Sequence, residues 1–208
     1  MIGATISHYK IIEKLGEGGM GVVYKAEDKK LRRAVALKFI SPALTRNAEA
    51  NKRFIDEAQS ASALDHQNIS TIYEIDESND GRMFISMAYY QGETLSKIIS
   101  KEQLPIRKVI DISIQIAEGL SKAHQKGIIH KDIKPANIIV DTKDTVKIID
   151  FGLSKLQAFN DSSLPKSTMG TVTYMSPEQI EGKEIDPRTD IWSLGVTIYE
   201  ILTANRPF

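Results

Sequence analysis

Apolar residues change their period part-way along this chain. Up to about Tyr89 they come in short runs rich in β-branched side chains. YKIIEKL (9–15), GVVYKAE (21–27) and AVALKFI (34–40), separated by glycines or charged turns, predict three strands. Phe54, Ala58, Ala61 and Leu64 then recur at helical spacing with charges between them, which predicts a helix from about Ala48 to Leu64. STIYEID (70–76) and RMFISMA (82–88) flank the turn SNDG and predict two further strands.

Beyond that point the pattern is helical. Pro105 suits a first helical turn. Val109, Ile112, Ile116, Leu120 and Ala123 form an amphipathic stripe that ends before Gly127. Two short apolar runs, NIIV (137–140) and TVKII (145–149), are split by the polar turn DTKD. Residues 154–168 are Ser-rich and irregular, which predicts a surface loop, and a last helix is expected over about Pro187–Leu202. Strands first and helices later predict an α+β fold in two unequal lobes, with the boundary near Tyr89–Gly92. The expected domains are 1–89, an antiparallel sheet plus one helix, and 90–208, mainly helical.

Composition narrows the field without naming a function. The chain has 208 residues and 41% hydrophobic content, enough to bury a core. Its 27 Lys+Arg balance 27 Asp+Glu, so no global basic field attracts nucleic acid or anionic lipid. There is no Cys, which removes disulfides and thiolate metal sites and is compatible with a reducing compartment; the expected location is the cytoplasm. No apolar run approaches the roughly 18 residues that suggest a membrane span. The start, MIGATISHYK, lacks the basic-then-apolar order of a secretory signal.

Three stretches carry candidate chemistry. LGEGGMGVV (15–23) holds Gly16, Gly18 and Gly21 as G-x-G-x-x-G between two expected strands. Glycines let backbone N–H groups approach a phosphate, although a plain glycine turn fits as well. The stretch lacks the Lys-Ser/Thr ending of a Walker loop, and no helix follows it as a dinucleotide fold requires. In VALKF, alternation puts Val35 and Leu37 on one face and Ala36 and Lys38 on the other. Lys38 reads either as a solvated strand lysine or as a buried ammonium that needs a carboxylate, with Glu57 on the next helix as candidate. HKDIKPAN (130–137) gathers Asp132, Lys134 and Asn137 on a segment that Pro135 keeps from being continuous helix, a composition that also suits a simple polar turn. Downstream, IIDFG (148–152) ends an apolar run in Asp150. Asn137 and Asp150 supply the oxygen donors that Mg²⁺ prefers. Asp132 would then orient a hydroxyl and accept its proton, and Lys134 would neutralise charge on a transferring phosphoryl group.

Taken in order, the glycine loop, strand Lys, helix Glu, H-x-D-x-K-P-x-x-N, DFG and SPE resemble the eukaryotic-type serine/threonine protein kinase family. The resemblance runs from Tyr9 to Phe208, and GGMGVVYKAED, HKDIKPANII and YMSPEQI look most like its bacterial members. It implies a bilobal kinase-like fold with an incomplete C-lobe. It also implies transfer of the γ-phosphoryl group of Mg²⁺–ATP to protein Ser/Thr hydroxyls, or else a truncated nucleotide-binding module without turnover. By matching positions, it implies that Leu15, Gly16, Gly18 and Gly21 cover the nucleotide, Lys38 and Glu57 pair to position it, and Asp132 is the base with Lys134 beside it. Asn137 and Asp150 would hold Mg²⁺. Met87 would be the gatekeeper, Ala88 and Tyr89 would offer backbone to adenine, and Val23, Ala36 and Ile139 would sandwich its ring. Thr171 would support the catalytic loop, and Thr168, with Ser162, Ser163 and Ser167, is the candidate phosphosite.

Three positions depart from the family pattern. Lys131 stands where His-Arg-Asp is usual; a compact ammonium grips phosphate less specifically than a guanidinium fork, so weaker dependence on activation-loop phosphorylation is expected. Ala88 replaces a frequent Glu, and Ser176 replaces the Ala of Ala-Pro-Glu. Glu178 lacks the C-terminal Arg that relatives pair with it. The family pattern continues through further helices after RPF, so part of the all-round apolar helix 187–202 is expected to be exposed and to invite self-association or a covering C-terminal segment. Protein substrates are the other expected partners.

Overall fold

A computed structural model describes residues 1–42, 48–151 and 172–208. The chain divides into two compact units, Met1–Ala63 with Thr71–Tyr89, and Leu64–Ser70 with Tyr90–Phe208.

The first unit contains strands β1 (Thr5–Ile6), β2 (Tyr9–Gly18), β3 (Gly21–Asp28) and β4 (Arg33–Ile40), helix α1 (Ala48–Ser62), and strands β5 (Ile72–Glu77) and β6 (Met83–Ala88). All pairings are antiparallel, in the order β1-β2-β3-β4-β6-β5. Tyr9, Ile11, Ala26, Val35, Leu37, Phe39 and Phe84 close one core, in which the Tyr9 ring meets Phe84 edge-on at 6.0 Å. Burying such rings supplies much of the drive to fold. Helix α1 buries Phe54, Ala58 and Ala61, the positions its spacing predicts. Strand β4 differs from its simple alternating reading, because every residue from Val35 to Ile40 is buried. It is central in the sheet, and both of its faces are covered. The outer half of β2, from Ile12 to Gly18, leaves the core and is exposed.

The second unit contains β7 (Gly92–Thr94), α2 (Leu95–Lys101), α3 (Ile106–Gln125), a 3₁₀ turn (Pro135–Asn137), β8 (Ile138–Asp141), β9 (Val146–Ile148), α4 (Pro177–Ile180) and α5 (Arg188–Thr203). Strands β7, β8 and β9 form a small antiparallel sheet. Residues 64–70 join this unit through backbone bonds Ile148 N–H to Asn68 O (2.8 Å) and Ser70 N–H to Ile148 O (2.8 Å). Asn68 is fully buried, and its amide donates to Gln115 Oε1 and Val146 O. Helix α3 buries the expected stripe Val109, Ile112, Ile116, Leu120 and Ala123. A Cβ at Gly119 would lie 2.8 Å from Ile148 Cδ1, so glycine is what lets α3 lie this close to β9.

Helix α5 inverts the usual rule. Its buried face carries Thr189, Asp190, Ser193, Thr197 and Glu200 beside Val196 and Ile201. Its apolar Ile191, Trp192, Tyr199 and Leu202 are exposed, Ile191 to 61%. Trp192 stacks on Phe208 with ring centroids 6.1 Å apart. The expected exposure of this helix is therefore present, and the inward face is the polar one. Arg206 does not stand in as the partner of Glu178: its guanidinium lies 3.4 Å from Glu200 Oε1, while Glu178 accepts from the Thr189 hydroxyl.

Candidate functional site

In the first unit, sheet register gathers several candidates on one face. Directly opposed residues of an antiparallel pair share a face. Val23 opposes Lys38, Lys38 opposes Ile85, and Ala36 opposes Met87. Val23, Ala36, Lys38 and Met87 thus share one side of the sheet, away from the Val35–Leu37–Phe39 core. Lys38 is 4% exposed, and its Nζ lies 3.8 Å from Met20 Sδ at the tip of the glycine turn. It is not the solvated lysine of the plainer reading. Glu57 stands half-buried on α1 next to Ala58. The N–H of Ala88 donates to Thr71 O at 2.9 Å. The Tyr89 ring lies under Lys25 Nζ, 4.6 Å from its centroid.

The glycines differ in kind. At Gly21, φ is +136° and a Cβ would fall 1.8 Å from Phe39 O, so the fold itself demands glycine there. At Gly16 and Gly18 nothing lies within 4 Å of where a Cβ would stand. The fold does not require those two. Leu15 precedes them in the register shift of β2 and is exposed.

In the second unit, residues 130–137 form a buried polar loop. Asp132 is 4% exposed. Its Oδ2 accepts from Asn137 Nδ2 at 2.9 Å and faces Lys134 Nζ at 2.8 Å. Asn137 Nδ2 also donates to Asp132 O at 2.8 Å. Both acceptors are oxygens, which fixes the orientation of the amide and directs its own oxygen elsewhere. The N–H of Asp132 donates to His130 Nδ1 (3.2 Å), so the imidazole proton sits on Nε2 and is given to Ile149 O at 2.9 Å. The ring of Phe151 packs edge-on against His130, 4.5 Å between centroids. One atom is left over: Asp132 Oδ1 is buried and has no hydrogen-bond partner. Buried polar atoms are nearly always paired, so this one calls for an explanation.

Asn137 and Asp150 come to the same end of the β8–β9 ribbon. Ile138 opposes Ile148, and Ile149 N–H donates to Asn137 O at 3.0 Å, with Asp150 next in line. Asp150 has φ +66°, an uncommon conformation for a residue with a side chain. Ile139 is half-buried and points opposite to the buried Ile138 and Val140. Thr171, Thr168, Ser162, Ser163 and Ser167 lie outside the described residues.

The comparisons with known proteins bear on this arrangement. The profile of the protein kinase domain family matches residues 9–208. This chain belongs to the protein kinase domain family. A probable serine/threonine-protein kinase of Clostridium acetobutylicum is 40% identical over all of this chain and 32% of its own length. The serine/threonine-protein kinase PrkC of Bacillus subtilis is also 40% identical, over 100% of this chain and 32% of that protein. The chain therefore spans about a third of the length of these curated relatives. Among solved structures, the Mycobacterium tuberculosis PknI kinase domain superposes with TM-score 0.82 at 28% identity, over 100% of this chain and 77% of that one. The α+β kinase fold read from the sequence is borne out.

What the sequence reading missed in this kinase domain is how the 130–137 loop is held. Asp190, in the first turn of α5, is fully buried. Its Oδ1 accepts from Lys131 N–H (2.7 Å), and its Oδ2 accepts from His130 N–H (2.8 Å) and His124 Nε2 (2.7 Å). Burial alone would raise the Asp190 pKa; the bond from His124, the nearby His130 and the two backbone N–H groups hold it below the usual carboxylate range instead. The signal lay in RTDIWS, an acid in the first turn of an otherwise apolar helix, which reads on its own as a helix-dipole contact. Tyr174 was missed too. It donates to Glu200, and burial and that carboxylate push its hydroxyl pKa upward.

Proposed function

We propose that this kinase domain transfers the γ-phosphoryl group of ATP, with Mg²⁺, to Ser/Thr hydroxyls of protein substrates. The reading rests first on Asp132. One carboxylate oxygen is engaged by Asn137 and Lys134, and the other is buried with no partner. A substrate hydroxyl would complete that shell. Asp132 Oδ1 accepts the hydroxyl proton as the hydroxyl oxygen bonds to phosphorus and the bond to the bridging oxygen of ADP breaks. Lys134 offsets negative charge at the site where it develops.

The donor set fits the cofactor. The Asn137 amide oxygen, turned away from Asp132, and the Asp150 carboxylate are hard oxygen ligands of the kind Mg²⁺ takes. Bound there, Mg²⁺ would neutralise phosphate charge. In the first unit, Gly16 and Gly18 keep space that side chains would fill, and Lys38 presents a buried ammonium on the face it shares with Val23, Ala36 and Met87. These support phosphate and adenine binding. The proposed location is the cytoplasm, with which the cysteine-free composition is compatible. Among the described residues no helix is long and apolar enough to cross a membrane.

Radiolabelled ATP and a generic basic protein test the proposal. Transfer is expected from the wild type, and Asp132→Asn should lower kcat by about 10³-fold while the melting temperature holds. Full transfer by that variant would reject the assigned base. Absence of transfer, with ATP binding retained, would favour a nucleotide-binding module instead.

A further inference from the structure

Helix α4 begins with a capping box. Ser176 Oγ accepts from Gln179 N–H, and Gln179 Oε1 accepts from Ser176 N–H at 2.9 Å. Either Glu or Gln closes such a box, and the positive end of a helix favours the charged one. This chain has Gln. The other end of the same amide explains the choice: Gln179 Nε2 donates to the backbone carbonyl of Lys131 at 2.8 Å. A carboxylate could make the first bond but would repel that carbonyl.

Lys131 is no ordinary acceptor. Its φ is +68°, a conformation that a residue with a side chain keeps only when its surroundings impose it. Asp190 takes its N–H at 2.7 Å, and Gln179 holds its carbonyl. The carbonyl held by Gln179 belongs to the peptide whose N–H is that of Asp132, and that N–H is bonded to His130 Nδ1. Turning this peptide turns the Asp132 backbone and hence the direction of its unpaired Oδ1.

We infer that Gln179 is a positioning residue for phosphoryl transfer, its amide fixing the Lys131–Asp132 peptide and thereby the aim of the Asp132 carboxylate. The inference rests on the proposed role of Asp132 as base. Gln179 touches neither nucleotide nor hydroxyl in this scheme; it acts through the backbone.

Two variants separate positioning from capping. Gln179→Glu keeps the box and loses the donor. Gln179→Lys keeps a donor of sufficient reach and loses the box. Positioning predicts that Gln179→Glu loses about ten- to a hundredfold in kcat, the scale of a misplaced catalytic group. Its KM for ATP should stay near wild type, and its melting temperature should stay above that of Gln179→Lys. Gln179→Lys should transfer better than Gln179→Glu despite melting lower. If transfer instead follows melting temperature across the pair, Gln179 is a cap alone and the inference is overturned. Hydrogen exchange read by mass spectrometry over residues 129–134 gives an answer that does not depend on turnover. Faster exchange in Gln179→Glu than in wild type supports the held peptide, and equal exchange rejects it. A wild type that transfers no phosphate would remove the proposed function, while the exchange result would still decide the role of Gln179.

Discussion

Compare the glycine turn of the first unit with the 130–137 loop of the second. Gly16 and Gly18 end a strand whose outer half has left the core, and no atom comes near where their side chains would be. Residues 130–137 are the opposite: His130, Asp132 and Asn137 are buried, and bonds tie the loop to Asp190, itself held by His124, and to Gln179. One segment keeps room for something to arrive. The other is built by residues far away in sequence, and one of its buried carboxylate oxygens, Asp132 Oδ1, has no partner. Substitution at Gly16 or Gly18 should leave the fold intact and cost function; removing a residue that holds the loop, such as Asp190, should cost both.

The largest effect that sharpens this contrast is expected at Asp190. Removing it leaves two backbone N–H groups and a histidine facing an empty buried site, so Asp190→Ala should lower unfolding free energy by about 3–5 kcal/mol in denaturant titration. A loss below about 1 kcal/mol would mean that the loop holds itself. Next is Gly21→Ala, where φ is +136° and the added Cβ meets Phe39 O. Forbidden backbone and clash together should cost at least about 2 kcal/mol. A smaller effect follows from acid. The Asp190 pKa is lowered in the folded chain, against about 3.9 unfolded. Its contribution to stability is therefore complete above the unfolded value and is lost as pH falls through the folded one. Other carboxylates, such as Asp28 and Asp141, are lowered as well and add to the acid dependence. The measurement is thus the difference in pH dependence between wild type and Asp190→Asn, which should lack this part of the slope. The smallest change is Gly18→Ala, expected to stabilise the fold by about 0.5 kcal/mol by restricting the unfolded chain. ATP binding, followed by calorimetry, should weaken in the same variant. If Gly18→Ala destabilises as much as Gly21→Ala, the open half of the comparison is wrong.

The same contrast explains what could be read from the sequence. The strands of the first unit were legible as short β-branched runs between turns, and helices α1 and α3 because burial imposes a helical period, as at Phe54, Ile112 and Ile116. HKDIKPAN and DFG were legible as a constellation, in order, more than as single sites. Asp190 was not, because its role depends on bonds spanning about sixty positions, from residue 190 to residues 130 and 131. The short elements β7, α2 and α4 are too brief to show a period. Helix α5 looked uniformly apolar, yet its inward face is set by Thr189, Asp190, Ser193 and Glu200, polar side chains whose partners only the fold supplies.

The stacking of Trp192 on Phe208 has a practical side. It is the only tryptophan among the 208 residues. Emission from this chain under selective excitation comes from one fluorophore, on the outward face of α5. Anything that settles on that face, or pulls Phe208 off it, should shift the spectrum. Events in the glycine turn, which has no indole of its own, would be followed with a labelled nucleotide.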